Sequence, residues 1–371
     1  HRPHRMNRRN GGIETEPPPD RASPTRKGIG KGNSEIGNKS LPLQQMVSAY
    51  MLTDDDLFRI ADNEAFEAAA LETFRFQAER CAPYRQYLAL IGVRPGQIHR
   101  PEEIPHLPIG LFKTHDIYCG DAAPEAVFTS SSTTGMTPSR HAMRSLALYE
   151  QAFRASFRTF YGEPRRWSLY ALLPNYLRRK GSSLVYMADR LIADCGSGGF
   201  YLDDYERLLD DMAADPKPKI LLGVSYALWD LAERYSPKLK DTVVMETGGM
   251  KGYREELPKE EFHRILCDAF GVEVIHSEYG MAELTSQAYS LGGNRFRCPG
   301  WMRVEVRDIN DPFELLPDGS RGGINITDLA NRWSCAFIQT EDVGKRFTDG
   351  SFDIEGRIDH SDIRGCNLLV Q

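Results

Sequence analysis

Apolar residues repeat at helical spacing near the start of the periodic part of the chain. Residues 64–81 carry an apolar residue at every fourth position: Phe66, Ala70, Phe74 and Ala78. This spacing predicts an amphipathic helix whose apolar side turns inward. Three consecutive aspartates at positions 54–56 favour a preceding helical turn, because acidic residues are enriched where helices begin.

Apolar runs and helical patterns alternate through the middle of the chain. The pattern predicts a short strand at residues 127–128 and a second helix at residues 145–161. It then predicts strands at residues 167–173, 219–224, 242–245 and 272–275, with helices between them at residues 182–193, 226–235 and 259–270. Such alternation favours a largely parallel sheet that is covered by helices on both faces.

The pattern changes after residue 297. Short strands are predicted at residues 302–307, 323–327, 336–340 and 352–354, separated by Asp-Pro, Asp-Gly and Gly-Gly turns. This spacing is typical of a small antiparallel sheet or barrel. We therefore expect an α/β protein with three parts: a disordered basic tail at residues 1–45, an α/β core at residues 46–297, and a small β subdomain at residues 298–371.

Charge separates the tail from the rest of the chain. The 371 residues carry a net charge of −6. Residues 1–41 hold nine Lys or Arg against four acidic residues, so the remainder is strongly acidic. An acidic body argues against nucleic acid as a partner, because binding to a phosphate backbone needs a basic face.

Apolar runs and cysteines indicate the compartment. No stretch approaches the roughly 18 consecutive apolar residues of a membrane span, and the first residues lack the apolar core of a secretory signal. The 7 cysteines are widely spaced and include no Cys-x-x-Cys pair. We expect a cytoplasmic protein with reduced thiols and no zinc cluster.

A run of hydroxyl side chains follows the strand predicted at residues 127–128. It consists of Ser130, Ser131, Ser132, Thr133, Thr134 and Gly135. Hydroxyl and backbone donors in such a loop can bind a phosphate chain without a positive charge. The alternative is a solvated loop with no ligand.

Two further segments follow predicted strands. Gly248, Gly249 and Met250, followed by Lys251, form a turn that lets the backbone approach a flat ligand, although a plain turn is the alternative. Residues 277–283 read Ser-Glu-Tyr-Gly-Met-Ala-Glu. In this segment Tyr279 offers a stacking face, Gly280 a close approach, and Glu283 an oxygen ligand suited to magnesium beside phosphates.

Three candidates lie towards the end of the sequence. Asp342 ends a predicted strand and could accept both hydroxyls of a ribose, while Arg357 could pair with a phosphate. Cys366 stands beside Arg364 near the last residue, where a thiol could be an accessible nucleophile. Each of these residues, taken singly, could also be incidental.

A competing motif is Gly-Val-Ser-Tyr-Ala at residues 223–227. It imitates the nucleophile elbow of serine hydrolases, with Ser225 as the nucleophile and Ala in place of the second Gly. The chain offers His263, His276 and His360 downstream, and nothing in the sequence marks one of them as the base.

In order, five segments resemble the core motifs of the adenylate-forming enzymes, the superfamily of acyl-CoA synthetases and luciferases. The segments are residues 129–135, 247–252, 278–283, 340–342 and 356–359. Longer stretches, among them Ile-His-Ser-Glu-Tyr-Gly-Met at residues 275–281 and Ser-Asp-Ile-Arg-Gly-Cys-Asn at residues 361–367, are similar to a narrower branch. That branch comprises the acyl-protein synthetases of the bacterial bioluminescence fatty-acid reductase system. The resemblance covers residues 50–371.

The resemblance implies a fold, a reaction and a set of roles. The fold is the adenylate-forming large domain, with layered sheets, flanking helices and a small C-terminal β subdomain. The reaction is ATP-dependent activation of a fatty acid to acyl-AMP, followed by transfer of the acyl group to a protein cysteine. An acyl-accepting reductase protein is the implied partner.

The implied roles fall on the motif residues. Residues 130–135 would hold the β and γ phosphates, and Gly248, Gly249 and Met250 would border the adenine. Tyr279 would stack on the adenine, with Gly280 and Met281 as further nucleotide-binding residues. Glu283 would bind Mg²⁺, Asp342 would hold the ribose, Arg357 would reach the ribose or the α-phosphate, and Cys366 would accept the acyl group.

Two departures from the superfamily pattern shape the expectation. Ser132 stands where many members have Gly. The sequence ends at Gln371, so we expect the mobile C-terminal domain and its lysine to be absent, with Lys251, Arg364 or a partner protein in its place. Two alternatives stay open: acyl transfer to coenzyme A with Cys366 incidental, and a non-catalytic subunit that binds a nucleotide or acyl group.

Overall fold

A computed structural model describes residues 53–130, 137–174, 181–250 and 257–358. The α-helices in these ranges are α1 Asp54–Leu57, α2 Asn63–Arg80, α3 Ala82–Leu90, α4 Leu146–Tyr161, α5 Ser183–Cys195, α6 Tyr205–Ala214, α7 Ser225–Tyr235 and α8 Lys259–Phe270. The early strands are β1 Leu107–Pro108, β2 Ala126–Thr129, β3 Arg140–Met143, β4 Ser168–Leu172, β5 Gly198–Tyr201, β6 Lys219–Val224 and β7 Thr242–Thr247. The later strands are β8 His276–Tyr279, β9 Ala288–Ser290, β10 Phe296–Arg297, β11 Met302–Arg307, β12 Arg321–Asp328, β13 Phe337–Lys345 and β14 Gly356–Arg357.

Side-chain caps fix where several helices begin. Asp62 accepts a hydrogen bond from the Ala65 N–H at the start of α2. Ser145 and Ser182 cap α4 and α5 in the same way. Such caps satisfy N–H groups that have no partner inside the helix. All five of the longer predicted helices are confirmed, at residues 64–81, 145–161, 182–193, 226–235 and 259–270, with ends that shift by at most two residues.

A seven-stranded sheet forms the centre of the molecule, in the order β10-β9-β8-β7-β6-β4-β5. The five strands from β5 to β8 run parallel, and β9 and β10 are antiparallel additions. Every residue of β4 and β6 is buried, as expected for strands covered on both faces. The predicted parallel sheet is confirmed.

The strand predicted at residues 272–275 is wrong. These residues connect α8 to the sheet, and pairing with β7 starts only at His276, which lies opposite Met245. Val274 is 46% exposed, and only Ile275 of the four residues is buried. The apolar run therefore belongs to the connecting segment and not to the strand. The strand itself, β8, carries the polar residues His276, Ser277 and Glu278.

The strand order reverses next to β4, and this reversal creates a crevice. The chain moves from β4 to β5 in one direction, then from β5 through β6 and β7 to β8 in the other. Right-handed crossovers therefore place α5 on one face of the sheet and α6, α7 and α8 on the opposite face. In open α/β sheets, ligands bind at such a switch point, beyond the carboxyl ends of the strands.

The C-terminal strands form a second sheet in the order β1-β13-β12-β11, with β14 beside β13. The pairs β11–β12 and β12–β13 are antiparallel, which confirms the sheet predicted from residues 302–307, 323–327 and 336–340. The strand predicted at residues 352–354 is wrong. Phe352 forms two isolated bridges, one with Phe296 through backbone hydrogen bonds of 2.8 and 3.0 Å and one with Arg346, and it belongs to no strand.

This second sheet shares its core with the N-terminal helices. Phe74 of α2 meets Phe337 of β13 edge to face, with ring centroids 6.1 Å apart. The buried Gln77 side chain donates to the carbonyls of Asn331 and Arg332 and accepts from the Ala336 N–H. The boundary proposed between residues 297 and 298 stays a prediction, and residues 1–45 lie outside the described residues. Within the described ranges, no helix combines the length and apolarity needed to cross a membrane.

Candidate active site

One large cavity of about 900 Å³ lies beyond the carboxyl ends of the parallel strands. Its wall includes residues of both sheets and brings together candidates that are far apart in sequence: Ser130, Gly248, Gly249, Met250, Tyr279, Gly280, Met281, Glu283, Asp342 and Arg357. Seven further candidates lie outside the described residues: Ser131, Ser132, Thr133, Thr134, Gly135, Lys251 and Cys366. Their roles stay predictions.

Tyr279, Asp342 and Arg357 form a connected group where the two sheets meet. The Tyr279 hydroxyl donates to Asp342 Oδ2 at 2.6 Å. Arg357 Nε lies 3.5 Å from Asp342 Oδ1, because β14 places Arg357 directly opposite Asp342 in the ladder. Burial raises the pKa of Asp342, and the Tyr279 hydrogen bond and the Arg357 charge oppose that rise. The group presents a carboxylate, a phenol ring and a guanidinium at one end of the cavity.

The Tyr279 ring is held by two phenylalanines. Its centroid lies 5.8 Å from that of Phe296 and 5.6 Å from that of Phe352. These two rings stack on each other at 5.4 Å. Tyr279 is half-buried and lines the cavity, so a flat ligand can contact the part of the ring that the phenylalanines leave uncovered.

Glu283 lies at a second part of the cavity wall, close to hydroxyl groups. Burial raises the pKa of Glu283, while a hydrogen bond with Ser139 and the charges of Lys113 and Arg357 oppose the rise. Ser139 N–H donates to Ser130 Oγ at 2.9 Å, which fixes the first hydroxyl of the predicted phosphate loop. Lys113, at the end of a short 3₁₀ helix, also lines the cavity and was missed from the sequence.

A single carboxylate can hold Mg²⁺ only if other ligands, such as substrate phosphates, complete its coordination. Among the described residues, no group of three or more His, Cys, Asp or Glu side chains could enclose a metal ion. Mg²⁺ is commonly bound by one or two carboxylates together with substrate phosphates. Glu283 beside Ser130 and Ser139 suits that arrangement, and does not form an all-protein metal cage.

A buried ionic cluster surrounds Glu246, which sequence reasoning also missed. Its carboxylate accepts from Ser225 Oγ at 2.8 Å, Ser277 Oγ at 2.9 Å, Lys259 Nζ at 2.5 Å and lies 3.1 Å from His263 Nε2. The Glu246 side chain is 2% exposed. Burial opposes ionisation, but the His263 hydrogen bond and the Lys259 charge outweigh it and lower the pKa of Glu246 to about 2. The cluster joins β6, β7, β8 and α8.

Glu278 is a second buried carboxylate in the cavity wall, in a different environment. Its Oε2 accepts from Thr247 Oγ1 at 2.5 Å. Burial raises the pKa of Glu278 to about 7, although the hydrogen bond from Thr247 acts in the opposite direction and lowers it. In the sequence Glu278 is an ordinary glutamate beside Tyr279, and no local pattern indicates that its side chain is buried.

The hydrolase alternative requires a histidine at Ser225. Ser225 instead donates to Glu246 Oε2 and also lies 3.1 Å from the Gly248 carbonyl. His263 contacts Glu246, and His276 Nδ1 lies 3.1 Å from the Tyr161 hydroxyl. In the described part of the chain, no histidine is hydrogen-bonded to Ser225, so the arrangement has no general base for this nucleophile. His360 lies outside the described residues.

Comparisons with known proteins give structural matches only. No family model and no curated protein matches the chain. A 2-hydroxyisobutyryl-CoA ligase in its postadenylation state, in complex with R3-HIB-AMP, aligns with a TM-score of 0.62 and 16% identity over 80% of this chain and 68% of that one. Its open conformation with 2-HIB-AMP and CoA gives 0.61 and 15% over 80% and 70%.

A third solved structure is the ATP-bound RpMatB-BxBclM chimera B1. It aligns with a TM-score of 0.50 and 18% identity over 62% of this chain. The alignment spans 47% of the chimera, so this chain matches about half of that protein's length. Likenesses at this level of identity establish architecture alone. The predicted fold class is confirmed: the described chain has the layered α/β fold of adenylate-forming enzymes.

Proposed function

We propose that this protein is an AMP-forming acid–thiol ligase. It would use ATP to convert a carboxylic acid into an acyl adenylate and would then transfer the acyl group to a thiol. The observation that carries the proposal is the convergence of Tyr279, Asp342, Arg357, Glu283 and Ser130 on one cavity, in a fold whose solved examples hold ATP or an acyl-AMP.

The end of the cavity at Tyr279 suits a nucleoside. The Tyr279 ring can stack on a purine, with Gly248 and Met250 bordering it on the strand β7 side. The Asp342 carboxylate, held by the Tyr279 hydroxyl, can accept hydrogen bonds from vicinal ribose hydroxyls. Arg357 is 69% exposed on its side chain, so its guanidinium can turn from Asp342 towards a ribose or a phosphate.

The region around Ser130 and Glu283 suits the phosphate chain. Ser130 and Ser139 hydroxyls can donate to phosphate oxygens, and Lys113 brings a positive charge to the same wall. Glu283 would hold Mg²⁺ together with those phosphates. When bound, this ion would neutralise charge that builds up on the departing pyrophosphate.

The reaction needs two substitutions. In the first, a carboxylate oxygen of the acid attacks the α-phosphorus of ATP, and the bond to the bridging oxygen breaks to release pyrophosphate. In the second, a thiolate attacks the carbonyl carbon of the mixed anhydride, and AMP leaves with the bonding electron pair. The thiol loses its proton to solvent or a nearby base before attack.

The described cysteines support Cys366 as the acceptor. Cys81, Cys119, Cys195 and Cys335 are buried, and burial raises the pKa of the Cys298 and Cys267 thiols. No described cysteine lines the cavity. Because a nucleophilic thiol needs access and a thiolate form, an acceptor within this chain would be Cys366. A fatty acid as substrate, and a reductase protein that takes the acyl group onward, complete the proposal.

ATP–pyrophosphate exchange across a panel of acids tests the first step. Mass spectrometry after incubation with ATP, magnesium and the active acid tests the second, and should find an acyl adduct on Cys366 that hydroxylamine removes. Cys366→Ser should abolish the adduct, whereas Cys267→Ser should retain it. An adduct that survives Cys366→Ser refutes the acceptor, and AMP release that requires coenzyme A favours a CoA ligase. ATP binding without exchange for any acid favours a non-catalytic subunit.

A further inference from the structure

Among the described residues, only one of the two Glu278 carboxylate oxygens accepts a hydrogen bond. Oε2 takes the hydrogen bond from Thr247. Within the described residues, Oε1 has no donor, and it fills the space beside Gly280 where a Cβ would stand. Glu278 is 7% exposed and lines the cavity. This carboxylate oxygen therefore belongs to the cavity wall, where a ligand can reach it.

A second buried acceptor lies next to it. Gln287 is 4% exposed, lines the same cavity, and its Oε1 has no hydrogen-bond partner in the part of the chain that the structure describes. Its Cγ lies 3.4 Å from the position of a Cβ at Gly280, which is the position that Glu278 Oε1 also approaches. Buried acceptors without donors are rare, because each loses its hydrogen bonds to water.

The Glu278 carboxylate lies on the other side of the sheet from the Glu246 cluster. Strand pairing sets Glu246 opposite Ser277 and Thr247 opposite Glu278, and successive side chains of a strand point to opposite faces. The Glu246 cluster contacts α8. The wall of the same cavity also includes Tyr149 of α4 and Leu184 and Met187 of α5.

We propose that Glu278 and Gln287 form a recognition site for a hydrogen-bond-donating substituent, a hydroxyl or an amino group, on the acid substrate. The inference rests on the proposed function, since it assigns this wall to the acid and the Tyr279 end to the nucleotide. Thr247 and Gly280 are positioning residues: one orients the carboxylate, and the other leaves room for it.

A fatty acid whose alkyl chain is unsubstituted would fit this wall poorly, so the inference narrows the proposed fatty acid to one that carries such a substituent. An unsubstituted chain would exclude water from both acceptors and offer them no hydrogen, which carries the full desolvation cost of each group. A substituent that donates to Glu278 Oε1 and Gln287 Oε1 removes that cost. The apolar side chains Leu184 and Met187 can at the same time contact the methylene groups beside it.

Matched acids test the inference. ATP–pyrophosphate exchange is measured at pH 8, where Glu278 is ionised because its pKa is about 7. The acids are of equal length and are unsubstituted, or carry a hydroxyl or an amino group at successive carbons. We expect kcat/KM for the best substituted acid to exceed that of its unsubstituted partner by about 10-fold to 100-fold, the effect of a hydrogen bond to a charged group.

Variants separate recognition from a structural effect. Glu278→Met should bring the substituted and unsubstituted acids to within a few-fold of each other, and Gln287→Met should reduce the ratio in part. Glu278→Gln keeps an acceptor oxygen but removes the charge. It should therefore lower the ratio of substituted to unsubstituted kcat/KM strongly for an amino-substituted acid and weakly for a hydroxy-substituted acid. Glu273→Gln, the same change at an exposed position, should leave the ratio unchanged.

The outcomes distinguish the two proposals. Equal use of both acids by the unaltered protein overturns this inference and leaves the ligase proposal standing. The same holds if Glu278→Met lowers kcat/KM for both acids by one common factor, because that result indicates a structural role. Exchange with no acid at all overturns the proposed function, and this inference with it.

Discussion

Tyr279 and Asp342 are joined by a 2.6 Å hydrogen bond that links the seven-stranded sheet to the C-terminal sheet. Tyr279 ends β8 of the seven-stranded sheet, and Asp342 lies in β13 of the C-terminal sheet. The bond therefore fixes the distance between a ring that can stack on a base and a carboxylate that can hold a ribose. Under the proposed function, that spacing would match the base and the ribose of one bound nucleotide.

Removal of the Tyr279 hydroxyl should weaken ATP binding while the ring is retained. In Tyr279→Phe, Asp342 loses its donor, and we expect the KM for ATP in the exchange reaction to rise by about 3-fold to 10-fold, equivalent to roughly 1 kcal/mol. The bond from Tyr279 lowers the pKa of Asp342 against the effect of burial. Its loss should move the acidic limb of the rate profile to higher pH.

Tyr235→Phe provides the control, because Tyr235 is 40% exposed and lies outside the cavity wall. It should change neither the KM for ATP nor the acidic limb. A Tyr279→Phe variant with both values unchanged would show that the hydroxyl does not position Asp342.

A methyl group at position 280 should disturb Glu278. The Cβ of Gly280→Ala would overlap Glu278 Oε1, so the carboxylate must move and the bond from Thr247 weakens. We expect the preference for a substituted acid to fall as it does in Glu278→Met. Gly96→Ala, at a position with open space for a Cβ, should leave the preference intact.

The double variant Glu278→Met/Gly280→Ala gives the decisive comparison. If Gly280 acts through Glu278, the second change adds little to the first, because contacting residues are not additive. Two effects that multiply would instead mean that Gly280 is needed for a separate reason, such as a close approach of the ligand to the backbone.

Local patterns in the sequence predicted most of the helices and the order of the elements. Residues 259–270 have apolar spacing and a following glycine, and the helix α8 has these bounds. The described parts of the five motif segments line one cavity. For the segments after β7 and β8 this was expected, because the carboxyl ends of parallel strands share one edge. The other three segments belong to antiparallel strands, and their position follows from the tertiary fold. The strands predicted at residues 272–275 and 352–354 were wrong, and the helices α3 and α6 and the strand β5 were not predicted. In β8 the polar residues are buried by contacts with β7 that no local pattern reveals.

The ionic groups of the site could not be predicted in the same way. The Glu246 cluster joins residues at positions 225, 259, 263 and 277, which only the tertiary fold brings together. Lys113 lies well before the hydroxyl-rich segment at residues 130–135 and belongs to no recognisable motif. The charge state and the hydrogen-bond partners of such residues depend on how deeply they are buried. That burial is decided by strands and helices that are distant in sequence.

Glu246 should stabilise the protein at neutral pH and lose that effect in acid. Its folded pKa is about 2, below its ordinary value of 4.5. Ionised Glu246 therefore adds stability above pH 4.5, and this contribution falls as the pH drops towards 2. The shift corresponds to roughly 3 kcal/mol. Glu246→Gln should lower the free energy of unfolding by about that amount at pH 7, and by much less at pH 3.

Urea unfolding at the two pH values measures this difference, with Glu273→Gln as the exposed control. A loss in Glu246→Gln that is equally large at both pH values would mean that packing, rather than charge, accounts for it.

Glu278 should show the opposite pH dependence. Its folded pKa is about 7, above the ordinary value of 4.5. Between these values the folded protein holds a proton that the unfolded chain has released, so Glu278 makes the protein less stable as the pH rises from 4.5 to 7. Above pH 7 the cost of its buried charge reaches roughly 3 kcal/mol. Glu278→Gln removes the charge, and should raise the free energy of unfolding at pH 8 but not at pH 4.

The same variant should lose most of the preference for an amino-substituted acid, so stability and recognition of that acid would change in opposite directions. A buried carboxylate that destabilises the fold persists where it has a use, and a bound donor would offset its cost. Urea unfolding of Glu278→Gln at pH 4 and pH 8 measures the first effect, and the exchange ratio measures the second. If the variant is less stable than the unaltered protein at pH 8, Glu278 is a structural partner of Thr247 and the recognition site loses its physical basis.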